Sequence, residues 1–173
     1  MLMTHSTKKR IIAFAAAGAL ISSNALAATQ SVTANIAFDT VLSITKNADI
    51  NFGTVKAGVT GTHVITPAAS VSSTGNAVWI SGTPAAGDLT IVGSTTQTLT
   101  ISAGGFTANE SVTPSLATCS YNGGAVDADC SMATQAAPGA GKTLLIGVTV
   151  TLDGTAAAGD SSTPSFTITV VYT

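Results

Sequence analysis

Ser31-Val32-Thr33-Ala34-Asn35-Ile36-Ala37-Phe38 places Val32, Ala34, Ile36 and Phe38 at every second position, with Ser31, Thr33, Asn35 and Ala37 between them. A period of two belongs to a β-strand, whose successive side chains point to opposite faces. The pattern recurs in Val41-Leu42-Ser43-Ile44, Ile50-Asn51-Phe52-Gly53-Thr54-Val55, Thr62-His63-Val64-Ile65-Thr66 and Ala77-Val78-Trp79-Ile80. It continues in Leu89-Thr90-Ile91-Val92, Thr98-Leu99-Thr100-Ile101, Leu144 to Leu152 and Phe166 to Tyr172.

Turn residues stand between these segments, as in Lys56-Ala57-Gly58, Gly82-Thr83-Pro84 and Gly104-Gly105. No window of helical length past the first thirty residues carries a 3.6-residue stripe. Many short strands at close spacing predict an all-β fold, an antiparallel immunoglobulin-like sandwich. Thr and Ser fill the alternate positions and suit a solvent-facing pleat without adding charge. Trp79, the only tryptophan, is expected in the core. Residues 104–141 contain Gly123-Gly124, Pro114, Pro138 and both cysteines, and read as a long irregular connection with one strand near Ser111 to Thr118.

The N-terminus has a different grammar. Lys8-Lys9-Arg10 precedes the apolar run Ile11 to Ile21, and Ala25-Leu26-Ala27 supplies a small-residue cleavage site. That order is a secretory signal, and the run is shorter than the roughly 20 residues that span a bilayer. Residues 1–27 are therefore expected to be removed after Ala27, leaving a single domain over 28–173 without a transmembrane anchor. The expected location is the periplasm, cell surface or extracellular space. There the two cysteines, Cys119 and Cys130, are expected to pair.

Charge narrows the function. Charged residues make up 8% of the chain, against roughly a quarter in an average soluble domain. Beyond the leader the only basic residues are Lys46, Lys56 and Lys142, so no surface could track a phosphate backbone and nucleic acid is not an expected partner. His63 is the only histidine after the leader and reads as a solvent-facing strand residue. No Gly-x-Ser-x-Gly turn or His-Glu-x-x-His helix accompanies it, so no enzyme and no cofactor are expected. Ala136 to Thr143 approaches a phosphate-binding loop, but a strand follows where that loop needs a helix. Asp127 and Asp129 are weak calcium candidates, as is the alternation Asn47, Asp49, Asn51; turn chemistry accounts for both groups more simply.

Leu42-Ser43-Ile44-Thr45, Ala48-Asp49-Ile50-Asn51-Phe52-Gly53-Thr54-Val55, Gly61-Thr62-His63-Val64 and the last strand Phe166-Thr167-Ile168-Thr169-Val170-Val171-Tyr172 resemble domain-of-unknown-function family 4402 of exported bacterial proteins. More distantly the chain is similar to the spore coat protein U domain, which supplies subunits of archaic chaperone–usher pili. The resemblance implies a sandwich used as a surface or fibre component, with self-assembly or chaperone–usher partners. The C-terminal strand, with Phe166, Ile168, Val170 and the penultimate Tyr172, is similar to a pilin ending. The Cys119 to Cys130 loop and Ser161-Ser162-Thr163-Pro164 depart from that pattern.

The expected function is a secreted or cell-surface structural protein, a fimbria-like subunit or adhesin. The alternative is a monomeric carbohydrate- or host-surface-binding module using residues 104–141. Val32, Ala34, Ile36 and Phe38 then have two readings: a strand donated to a neighbour's sheet edge, or the first strand of a self-contained sandwich.

Overall fold

The computed structural model describes residues 30–173; the leader and its cleavage site after Ala27 lie outside the described residues. The described chain is all-β and antiparallel. Its strands are β1 (Ser43–Ala48), β2 (Thr54–Val55), β3 (Thr60–Ile65), β4 (Val71–Gly75), β5 (Trp79–Ser81), β6 (Gly87–Val92), β7 (Leu99–Thr107), β8 (Val112–Tyr121), β9 (Ser131–Gln135), β10 (Lys142–Asp153) and β11 (Ser165–Tyr172).

The central strand is β10. Its Lys142–Ile146 half pairs with β6 and its Val148–Asp153 half pairs with β3, while β8 runs along Leu144 to Leu152. A strand has two edges, so β6 and β3 share one end to end and β8 covers the other. Beyond β6 lies β1, and beyond β3 lies β4. The second sheet has the order β11-β7-β9, and β2 and β5 make a small separate ribbon. Gly147 sits at the changeover on β10, where a Cβ would collide with the carbonyl oxygen of Ile65.

The sheets pack face to face as a β-sandwich. Ile91, Ala117, Cys119, Tyr121, Leu144 and Ile146 of the larger sheet meet Leu99, Ile101, Met132 and Val170 of the smaller one, together with Cys130. Cys119 and Cys130 are bonded and both fully buried. Burying each large apolar side chain stabilises by about 1.5–3 kcal/mol, so this cluster dominates the fold.

Three expectations are corrected. Residues 104–141 are largely regular: β7 reaches Thr107, β8 spans Val112–Tyr121 and β9 adds Ser131–Gln135. Pro114 is tolerated because it stands where β8 slips register against β10, between Thr149 and Val150. Trp79 is 40% exposed, because the ribbon that carries it is too short to be covered by a facing sheet. His63 is fully buried, since it shares its side of β3 with Ile65, which packs on Val148 and Val150. Residues 31–38 are assigned to no strand and have no ladder partner among the described residues, and Val32, Ile36 and Phe38 are 90%, 78% and 87% exposed; both readings of this segment stay open.

Residues 37–173 form one compact unit. Just before β1, Asp39 and Thr40 hydrogen-bond to residues of the loop after β6 and of β11.

Candidate functional site

The sandwich is closed around the disulfide and open on one side. A groove of about 1310 Å³ runs between the sheets, with Ile146, Val148, Val150 and Leu152 of β10 along its floor. Phe166 and Ile168 of β11 form one wall, and Ala48, Ile50 and Phe52 form the other. Ala48 ends β1 and Ile50 and Phe52 follow it, while Phe166 and Ile168 lie in β11; among the described residues β1 pairs only with β6, and β11 only with β7. An unpaired edge presents a row of free N–H and C=O groups, so the groove is flanked by backbone hydrogen-bonding capacity as well as apolar side chains.

The wall residues are incompletely covered. Ile50, Phe52, Phe166 and Ile168 are each only half-buried, although Phe106 stacks on Phe166 with ring centroids 5.4 Å apart. The rim is polar, and Lys46 and Asp49 pair across 2.7 Å at exposed positions where such a contact contributes little. The loop from Gly154 to Pro164 borders one end. It is tied down by Gly58 N–H to the Ala156 carbonyl at 2.9 Å and by Thr163 N–H to Asn109 Oδ1 at 2.9 Å.

His63 also lines the groove. Its Nδ1 lies 2.7 Å from Ser73 Oγ, its ring meets Phe52 edge-on, and its Nε2 has no partner among the described residues. Burial lowers its pKa below the ordinary histidine value, which keeps the ring neutral at pH 7.

The other candidates separate into local roles. Asp127 Oδ1 accepts hydrogen bonds from Ser131 N–H at 2.8 Å and Asp129 N–H at 3.3 Å, and the Ser131 N–H above all holds its carboxyl below the ordinary range. That carboxylate is a turn acceptor, beside the Cys119–Cys130 bridge, and Asp129 supplies it with a backbone donor. Asn47 donates to Thr90 Oγ1 at 2.8 Å, Asp49 takes Lys46, and Asn51 accepts from Gly53 N–H at 2.8 Å. Asn47 thus engages its amide nitrogen, while the oxygens of Asp49 and Asn51 go to different partners. Among the described residues no three His, Cys, Asp or Glu side chains converge as a metal site.

A polar cluster that the strand pattern did not single out joins the start of β1 to the end of β11. Asp39 Oδ2 accepts from Ser94 Oγ at 2.6 Å and Gln97 Nε2 at 2.8 Å. Tyr172 Oη accepts from Ser94 N–H at 2.7 Å and donates to the Thr40 carbonyl at 2.9 Å. The sequence signal was an acid placed directly after the apolar row, together with the hydroxyl and amide side chains of Ser94 to Gln97. Of the C-terminal set, Phe166 and Ile168 face the groove, Val170 joins the closed core, and Tyr172 makes this polar contact.

Fold and groove together define an antiparallel β-sandwich left open between two unpaired strand edges. Residues 42–172 match the family described as Domain of unknown function (DUF4402), and the chain belongs to that family. No curated protein and no solved structure matches it.

Proposed function

We propose that the protein is an exported structural subunit that assembles with copies of itself, residues 31–38 of one copy filling the groove of the next. The supporting observation is a complementarity within one chain. An apolar groove lies between the edges of β1 and β11, which are unpaired among the described residues, and the same chain carries at residues 31–38 an alternating apolar row that has no ladder partner among the described residues. A strand laid in the groove gains ladder hydrogen bonds from the edges, while its alternate side chains enter the space between the sheets. Burying Val32, Ile36 and Phe38 would contribute about 1.5–3 kcal/mol each before the cost of ordering the segment. Fimbria-like filaments follow if every copy both gives and receives, and a chaperone–usher system is the kind of partner that would deliver such subunits.

Electron microscopy of intact cells together with sedimentation of the exported protein tests this reading. Filaments and a concentration-dependent series of oligomers are expected. A folded protein that stays monomeric at all concentrations, with its export partners present, contradicts it.

A second reading rests on Val78, just before β5, and on Trp79 and Ile80 of β5, which are all exposed. An exposed indole is a stacking platform for a sugar ring, as a monomeric carbohydrate-binding module would need. Quenching or shift of the Trp79 fluorescence across a glycan panel would support it, and an unchanged spectrum would count against it.

A further inference from the structure

We infer that Asp39, Ser94, Gln97 and Tyr172 form a clasp at the base of the 31–38 segment that stops it from closing its own groove and so leaves it free for a neighbour. The inference rests on the strand-donation reading and adds a positioning role for residues outside the groove.

Self-closure is within reach of the chain. Strand β1 starts at Ser43, runs away from the Tyr172 end of β11 and leads to Ile50 on the groove wall. A chain that reversed over residues 39–42 would therefore lie antiparallel to the free edge of β1 as a hairpin. Loops of four residues are common in hairpins. Residues 31–38 extended at about 3.3 Å each would cover roughly 26 Å, the same eight-residue reach as Ser43 to Ile50. Length alone does not keep the segment out of its own groove.

The backbone of the residues that would have to turn is already committed elsewhere. Thr40 N–H donates to Asp39 Oδ1 at 2.7 Å, and the Thr40 carbonyl accepts from Tyr172 Oη at 2.9 Å. The carboxylate of Asp39 is held through its second oxygen by Ser94 and Gln97. Ser94 is fully buried, and its Oγ also accepts from the N–H groups of Thr96 and Gln97 at 3.0 Å each. The loop that supplies the donors is thus folded around the clasp. Gly93 makes room for it, since a Cβ there would collide with the Tyr172 hydroxyl. This polar knot lies directly after the exposed row, whose last member is Phe38.

The test uses the full exported chain with Tyr172→Phe, which removes one hydroxyl, and Asp39→Ala. Hydrogen exchange is followed at the edge amides of β1 and β11 in dilute, monomeric protein, and assembly is followed by sedimentation. Both variants should slow edge exchange at least tenfold in the monomer, as the segment folds back, and should lower the assembled fraction. Adding Ile36→Asp should restore fast exchange, because the returning strand could no longer enter the groove. Gln97→Ala, which trims only an amide at the surface, should show the same shift to a smaller extent and serves if the other variants do not fold. Edges that exchange in every folded variant as they do in the wild type would overturn the clasp. If the wild type fails to assemble while its edges exchange freely, strand donation fails, and the exchange of the variants still judges the clasp by itself.

Discussion

The two halves of this sandwich are finished to different degrees. Around the disulfide, eleven buried side chains from β6 to β11 and the Cys119–Cys130 bridge make a closed core. Toward Ile50 and Phe166 only Ile65, Val148 and Val150 are buried in the companion cluster, and the apolar residues against them remain partly open. The floor of both halves is the same strand, β10. What differs is the covering: β9 and the Cys119–Cys130 bridge complete one half, whereas the other ends at two edges that are unpaired among the described residues. The difference teaches that, among the described residues, the open half is short of covering strands and not of hydrophobic residues; on the proposed reading the exposed row at 31–38 of a neighbouring copy would supply the cover.

The largest expected effect comes from Ile36→Asp. A carboxylate carried into the groove without a partner would cost on the order of 4 kcal/mol at each joint, about a thousandfold in association. Size-exclusion chromatography should show monomer only. Because Ile36 is exposed in the single copy, its melting temperature and β-rich circular dichroism should stay as in the wild type. Unfolding of the mutant would mean instead that the segment completes its own sandwich, and the contrast between the halves would disappear.

A matched pair of truncations sharpens the same contrast. Ile101→Ala, in the closed half, should lower monomer stability by about 2–5 kcal/mol in denaturant titrations, because Ile101 is fully enclosed and leaves a cavity. Ile168→Ala, on the half-buried groove wall, should cost the monomer less and weaken assembly more. Equal losses of monomer stability would show that the groove is not open.

How much of this was legible in the sequence depends on the range of the interaction. Alternation along Thr98 to Ile101, Leu144 to Leu152 and Phe166 to Tyr172 is local, and it located three strands of the sandwich correctly. Alternation at Ser31 to Phe38 is equally clear, yet periodicity says nothing about which sheet a strand joins or whether that sheet belongs to the same molecule. Within residues 104–141 the strand expected near Ser111 to Thr118 is β8, but the extension of β7 and strand β9 were hidden among turn residues: Gly123-Gly124 and Pro138 do stand in turns and loops, and only Pro114 lies inside a strand, where pairing with β10 overrides its preference. His63 was recoverable, since it alternates in phase with Ile65. The groove was not, because it arises from the absence of a neighbour beside β1 and β11, a property of topology that no segment carries.

Replacing both Cys119 and Cys130 by serine should remove about 3 kcal/mol or less, the loop-closure contribution expected for so short a separation. A lower melting temperature with unchanged assembly is the expected outcome, since the bridge lies in the closed half. Loss of assembly in a folded double mutant would couple the halves and break the comparison.

The smallest effect is a pH dependence from the open half. Burial lowers the pKa of His63 from its unfolded value of 6.5, so the unfolded chain binds the proton more readily than the folded one. Stability from this group is complete above pH 6.5 and declines as pH falls through 6.5 toward the folded pKa. The lowered carboxyls of Asp39, Asp127 and Asp153 act in a separate window, with stability present above 3.8 and lost at lower pH. Melting temperatures between pH 7.5 and 5 should therefore fall modestly in the wild type and less in His63→Gln. Identical slopes would place the titrating group elsewhere.

The most direct test of strand donation is cross-linking between two variants that each add one cysteine to the bonded Cys119–Cys130 pair, Ile36→Cys in one copy and Ile168→Cys in the other, mixed under assembly conditions and then oxidised. The account predicts a disulfide-linked heterodimer between the two variants, formed in preference to either homodimer and lost when Phe38→Asp is added to the first variant. Oxidation that yields no heterodimer while the same proteins still assemble would contradict it.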